Sequence, residues 1–202
     1  MKLPLNTLLI ALALGLALGQ ASPATAADAG ATSAALPGDS LYHLQAGFTD
    51  LHGQSLQWAA LQGRPQLVSM LYGNCSLMCP LILENAKAVQ KQLSPEQRAR
   101  LGVAMITLDP ARDTPAALAE VAERNRTPAD WQYLQPDADD VRAVASVLDV
   151  RYRFREDGSI NHTSVLVLLD AQGRPLARSE VVGAAPDPGF LQQVRTALAQ
   201  TP

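Results

Sequence analysis

Two cysteines, Cys75 and Cys79, stand four residues apart in the run from Leu71 to Pro80 (Leu-Tyr-Gly-Asn-Cys-Ser-Leu-Met-Cys-Pro), and they are the only thiols among 202 residues. The stretch before them, Gln66 to Tyr72, is continuous and apolar enough for a central strand, and Pro80 to Leu93 carries apolar residues at helical spacing. The pair therefore falls where a buried strand turns into a helix. The first N–H groups of a helix lack partners and its dipole is positive there, so a thiol at that end sheds its proton more readily and becomes a nucleophile or a ligand. Four-residue spacing sets the Cβ atoms ~5–6 Å apart, near enough to share a metal or to close a disulfide. A disulfide serving only as a staple would gain little here, because so short a loop removes little unfolded-state entropy.

A structural zinc site needs four N or S ligands, and the three histidines, His43, His52 and His162, show none of the usual spacings relative to the thiols. Copper(I) suits the short ligand list: it is soft, prefers thiolate and accepts few ligands with an added imidazole. The candidate imidazole is His162, in a loop reading from Gly158 to Ser164 just ahead of a strand over Val165–Leu169; the other reading is a solvated or capping histidine. His43 and His52 fall in a turn-rich segment that accounts for them. Met78, between the cysteines, reads either as a thioether donor or as a core filler, while Met70 and Met105 read as strand residues. A second cluster, Asp109-Pro-Ala-Arg-Asp-Thr-Pro115, follows a buried strand over Leu101–Leu108. Asp113 or Thr114 reads as a helix cap with Pro115 at the first helical position, and Asp109 as a charge able to tune a nearby thiol or cation. There is no Gly-rich phosphate loop, serine-hydrolase elbow or glycosidase-like carboxylate pair.

The elements that must position these groups follow from punctuation and period. Leu44–Thr49 and Gln54–Trp58 read as a β-hairpin turning at Gly53, Ser94 to Gln97 as a capping box opening a short helix, and Thr114 to Arg124 as another helix. A further helix is expected from an Asp137 cap to Leu148, strands over Tyr152–Arg155 and Val165–Asp170, a return strand over Leu176–Val182 after Gly173, and a last helix over Gly189–Ala199. This order implies one α/β domain, a mixed sheet covered by helices on both faces with an N-terminal β-hairpin. Ahead of it, Lys2 and the apolar run from Leu3 to Leu18 lead into small residues ending Ala24-Thr-Ala26, which reads as a signal peptide cleaved after Ala26. Residues 27–40 read as a flexible leader and 41–202 as the domain. A net charge of −3, with no basic amphipathic stretch, gives no footprint for nucleic acid or an anionic membrane surface.

On these landmarks the chain resembles the Sco/SenC family of copper chaperones, which share a thioredoxin-like fold. The motifs that carry the resemblance are Gly53 with Gly63, Cys75-Ser-Leu-Met-Cys79-Pro80, the Asp109 to Pro115 element, and His162 before the run from Val165 to Gly173. The resemblance implies that Cys75, Cys79 and His162 together bind one copper ion, as Cu(I) with Cu(II) left open. Family members are often tethered by a membrane helix, whereas the cleavable signal read here gives a periplasmic protein without a membrane span once matured; it would take copper from a donor chaperone. Its acceptor would be the copper-bearing subunit of cytochrome c oxidase, for assembly of the binuclear centre, or another periplasmic copper protein. Family members are also proposed to act as thiol-disulfide reductases through the same two cysteines. The chain departs from the family where Asn161-His162-Thr163 stands in place of Asp-His-Ser, and where Tyr72-Gly-Asn precedes the first cysteine in place of residues that include Phe or Thr.

Overall fold

The computed structural model describes residues 35–200; the expected signal peptide and all but the last six residues of the expected leader lie outside them. Seven strands form one mixed sheet in the order β2-β1-β5-β4-β3-β8-β9, and β6 and β7 form a separate two-stranded sheet. The strands are β1 (Gly47–Thr49), β2 (Ser55–Gln57), β3 (Gln66–Leu71), β4 (Gly102–Thr107), β5 (Gln132–Pro136), β6 (Tyr152–Phe154), β7 (Ile160–His162), β8 (Leu166–Leu169) and β9 (Pro175–Ser179). The helices are α1 (Met78–Lys91), α2 (Pro95–Arg100), α3 (Pro115–Arg124), α4 (Val141–Val147) and α5 (Pro188–Gln200). This is the thioredoxin-like α/β arrangement, with β1 and β2 as the N-terminal hairpin.

All six residues of β3 and all six of β4 are buried, so both faces of the sheet centre are covered. β3 and β4 run parallel with Leu71 opposite Thr107, so their carboxyl ends are level. β8 runs antiparallel to β3, with Val68 opposite Val167, and this brings the chain entering β8 to that same end. Three connections therefore converge at one edge: the loop after β3, the loop after β4 and the segment before β8. In open α/β sheets ligands gather at such carboxyl ends.

Local chemistry explains most element starts. Ser94 and Gln97 form the expected capping box on α2, and Thr114 caps α3 by accepting from the Ala117 N–H. Gly173, at φ +83°, packs so close to Tyr42 that a Cβ there would lie 2.4 Å from the ring.

Four expectations change. β5 was absent from the strand reading, because Gln-Tyr-Leu-Gln-Pro shows little alternation, yet it joins the N-terminal hairpin to β4. α4 begins at Val141 rather than at an Asp137 cap, since Asp137 and Asp140 are engaged with the backbone of Gly47 on β1. His162 is the last residue of a strand, β7, not a loop residue. The segment before Leu41 is already engaged, with Leu36 packed on the core and the buried Ser40 hydroxyl donating to the Gln172 carbonyl.

Candidate metal centre

Cys79 is the second residue of α1 and is 2% exposed, whereas Cys75 is half-buried in the loop ahead of the helix. The pair is therefore not two steps on one helix: Cys75 curls back over the helix start. Leu77, at the N-cap, offers no side-chain acceptor, and the Cys75 Sγ takes that place, accepting from the Cys79 N–H at 3.2 Å. Both cysteines are free thiols.

The electrostatics split the pair. Cys75 is lowered from 9.0 to about 3, first by the hydrogen bond from the Cys79 thiol, then by His162 and by the backbone N–H groups of Cys79 and Leu77, against burial. Cys79 is pushed far up by that same bond to Cys75 and by burial. One thiolate thus stands exposed enough to react or bind, and one proton is held behind it.

His162 reaches this pair from the other side. Its Nε2 lies 3.7 Å from the Cys79 Sγ, and its Nδ1 is 3.1 Å from the Thr163 carbonyl. A carbonyl only accepts, so Nδ1 donates to it, and Nε2 is the ring nitrogen turned toward the sulfurs. Tyr72, the residue leaving β3, sits edge-on to His162 with ring centroids 5.9 Å apart, and its hydroxyl contacts Cys75. Burial, first, raises the Tyr72 pKa. Sequence reasoning takes Tyr72 as the end of a strand and as a departure from a family pattern; an aromatic residue three positions before a reactive thiol is the available signal.

Asp113 is not a cap. Its Oδ2 accepts from the Gly73 N–H at 2.8 Å and from the Thr107 hydroxyl at 2.5 Å, while Arg124 donates to the Gly73 carbonyl. Both polar backbone groups of Gly73, two residues before Cys75, are thus held. A Cβ at Gly73 would lie 2.6 Å from Asp113, so the approach demands glycine. Asp109 pairs with Arg112, whose Nη2 donates to the Gly158 carbonyl at the tip of the β6–β7 hairpin. Asp109 therefore acts through the hairpin rather than on a thiol.

The remaining expected residues lie outside this convergence. The His43 ring bonds the Pro37 carbonyl, and His52 sits in the β1–β2 turn. Met70 and Met105 are wholly buried, and Met78 opens α1 half-buried. Among the described residues, no three His, Cys, Asp or Glu side chains already stand as a formed metal cage. Two sulfurs and an imidazole are brought together as a dithiol with a facing nitrogen, a soft donor set matched to Cu(I) and lacking the fourth ligand structural zinc wants.

A thioredoxin-like domain with two thiols at a helix start and a histidine facing them matches solved structures closely in shape. Bradyrhizobium japonicum ScoI with copper bound is 20% identical, with a TM-score of 0.64 over 79% of this chain and 98% of that one. Yeast Sco1 with copper bound is 21% identical, with a TM-score of 0.65 over 78% and 88% of the two chains. A SCO1/SenC family lipoprotein from Bacillus anthracis is 19% identical, with a TM-score of 0.67 over 78% and 95%. A Stutzerimonas stutzeri protein named for copper binding is 28% identical over 128 residues, which is 61% of this chain and 62% of that relative's length. The SCO1/SenC family model matches residues 41–195, and the chain belongs to that family.

Proposed function

We propose that this protein is an exported, periplasmic copper chaperone that holds one Cu(I) through Cys75, Cys79 and His162. In this reading it delivers the ion to the binuclear copper centre of cytochrome c oxidase. The convergence of two thiols and the His162 Nε2 at the carboxyl end of β3 carries the reading. Copper bound in the Bradyrhizobium and yeast relatives, and the naming of the Stutzerimonas relative, support the choice of metal. Three donors leave one side of the ion open, so an acceptor thiolate enters before a donor leaves and no free copper is released. Export rests on the N-terminal apolar run; no helix among the described residues is long and apolar enough to cross a membrane.

Anaerobic Cu(I) titration of the reduced protein against a chromophoric chelator tests this reading. Tight one-to-one binding that weakens in both Cys75→Ser and His162→Ala is expected. Binding that ignores His162→Ala overturns the ligand set.

The unequal thiols favour a second reading, a reductant for the cysteines of a copper-site protein. Cys75, as thiolate, attacks a substrate disulfide, forms a mixed disulfide and expels one substrate thiolate. Cys79 then gives up its proton and attacks the Cys75 sulfur. The second substrate thiolate leaves, and two electrons have passed to the substrate while Cys75 and Cys79 become a disulfide. In this reading His162→Ala leaves disulfide reduction intact.

A further inference from the structure

The β6–β7 hairpin does more than carry His162. Its first strand and flanks read Arg151-Tyr-Arg-Phe-Arg155, three arginines in five residues of a chain whose net charge is −3. Strand alternation puts Arg151, Arg153 and Arg155 on one face and Tyr152 and Phe154 on the other. Register sets Arg153 opposite Asn161 and Tyr152 opposite His162. The arginines thus line the outer face of the strand pair whose inner face carries the histidine.

The nearby charges do not cancel this stripe. Arg155 lies 3.9 Å from Asp157, and Asp149 pairs with Arg178 at 3.3 Å. Among the described residues neither Arg151 nor Arg153 is in an ion pair. Glu156, at the tip, is the other carboxylate on the hairpin, and Arg142 lines the next depression beside Asp149 and Arg151.

The face belongs to the same strand pair as the histidine. A shallow depression of about 530 Å³ is bounded by Arg151, Tyr152, Arg153, Asn161, His162 and Thr163, residues of both faces of the strand pair. It adjoins a second, about 540 Å³, running from Arg153 to Asp157. The stripe is also held in place: Arg112 ties the tip at Gly158, and at the base Arg151 and Thr163 exchange two bonds through the Thr163 N–H and hydroxyl.

We propose that this arginine face is the docking surface for the copper-exchange partner, and that the partner meets it with an acidic protein surface. The inference rests on the chaperone reading and names the chemistry of the partner. Guanidinium groups fixed on a strand grip carboxylates in a two-pronged way and steer an oppositely charged partner from a distance. Docking there brings the acceptor to the hairpin that carries His162. A protein fits better than a membrane surface, because Phe154, 52% exposed, is the hairpin's one exposed large apolar side chain and leaves little to insert into lipid.

The test uses the reduced full-length mature protein loaded with Cu(I), and the Arg151→Glu/Arg153→Glu variant. Copper transfer to the apo copper-site domain of cytochrome c oxidase is followed by stopped flow as ionic strength rises from about 0.01 to 0.15 M. The expected results are a wild-type rate that falls with salt, and a variant about 10-fold or more slower at low salt with little salt dependence. Chelator titration should give the same Cu(I) affinity for both. Equal transfer rates, or no transfer to that domain, overturn the docking inference. So does charge-dependent binding to phosphatidylglycerol vesicles without charge-dependent transfer. Failure of the wild type to bind Cu(I) tightly sinks the chaperone reading instead, and is read from the titration alone.

Discussion

The cysteine loop and the histidine hairpin meet at one point but are held by different means. The loop leaves β3, which is buried along its length and paired on both sides, and its Gly73 is pinned by Asp113 and Arg124 before the chain enters α1. The hairpin has three residues per strand, lies outside the seven-stranded sheet, and hangs on the buried Ile160, the Arg112 tie and the bonds at Thr163. Two-stranded ribbons are marginal by themselves, so those few ties decide where the imidazole sits. The sulfurs are positioned by the core and the nitrogen by a surface element. In the proposed chaperone, such a division would let the imidazole yield to an incoming ligand without disturbing the two sulfurs.

The sharpest probe of the core-held half is the reactivity of Cys75. With its pKa lowered to about 3 by the Cys79 thiol first, the alkylation rate of the reduced protein by iodoacetamide should stay flat across the neutral range and fall only near that value. Cys79→Ala removes the leading cause and should move the midpoint up. The linkage has a definite sign. A depressed thiol pKa contributes stability that is complete above 9.0 and is lost as pH falls toward about 3, so this thiol makes the urea midpoint rise with pH across that window. An alkylation midpoint near 9.0 would mean that the loop does not hold the two sulfurs in contact.

Stability should divide along the same line. Leu71→Ala, in wholly buried β3, opens a cavity and should cost about 2–5 kcal/mol in chemical denaturation. Phe154→Ala, on the hairpin, should stay within about 0.5 kcal/mol. Similar losses at both positions would make hairpin and core one packed unit.

Asp113→Ala tests how the core grips the loop. It leaves the Gly73 N–H and the buried Thr107 hydroxyl without their acceptor, a cost of about 1–3 kcal/mol. As a support of ligand-bearing backbone it should also lower Cu(I) affinity about 10-fold. Lost stability with unchanged affinity would show that Cys75 is placed by α1 alone.

The two regions also differed in how far they could be read from sequence. Cys75 and Cys79 were legible because a long apolar run, a proline and helical periodicity flank them, signals that survive without tertiary information. The hairpin was half legible. Arg151 to Arg155 alternates and reads as a strand, but Ser-Ile-Asn-His is too short and polar to announce β7, whose pairing depends on the turn at Gly158. β5 was missed for a related reason: two glutamines and a proline interrupt it, and its burial comes from neighbours on both sides. The role of Asp113 lay hidden because a residue just before a capped helix satisfies the local pattern, while its real partners are 6 and 40 residues away.

A local measurement should separate the two regions most cleanly. Arg112→Ala removes the bond to the Gly158 carbonyl and the pairing with Asp109, and leaves β3, β4 and the cysteine loop untouched. Arg112 is about half exposed, but Asp109 is buried and loses its partner, so global stability should fall by about 1–3 kcal/mol. Hydrogen exchange should register the change locally. The amides of Ser159 to His162 should exchange faster, while those of β3 keep their protection, since local opening there does not require the sheet to open. Arg112→Lys keeps the charge but not the guanidinium fork, so it should restore protection only in part. If β3 amides accelerate together with the hairpin, the two regions open as one unit. The imidazole could then not yield to an incoming ligand while the sulfurs stay in place.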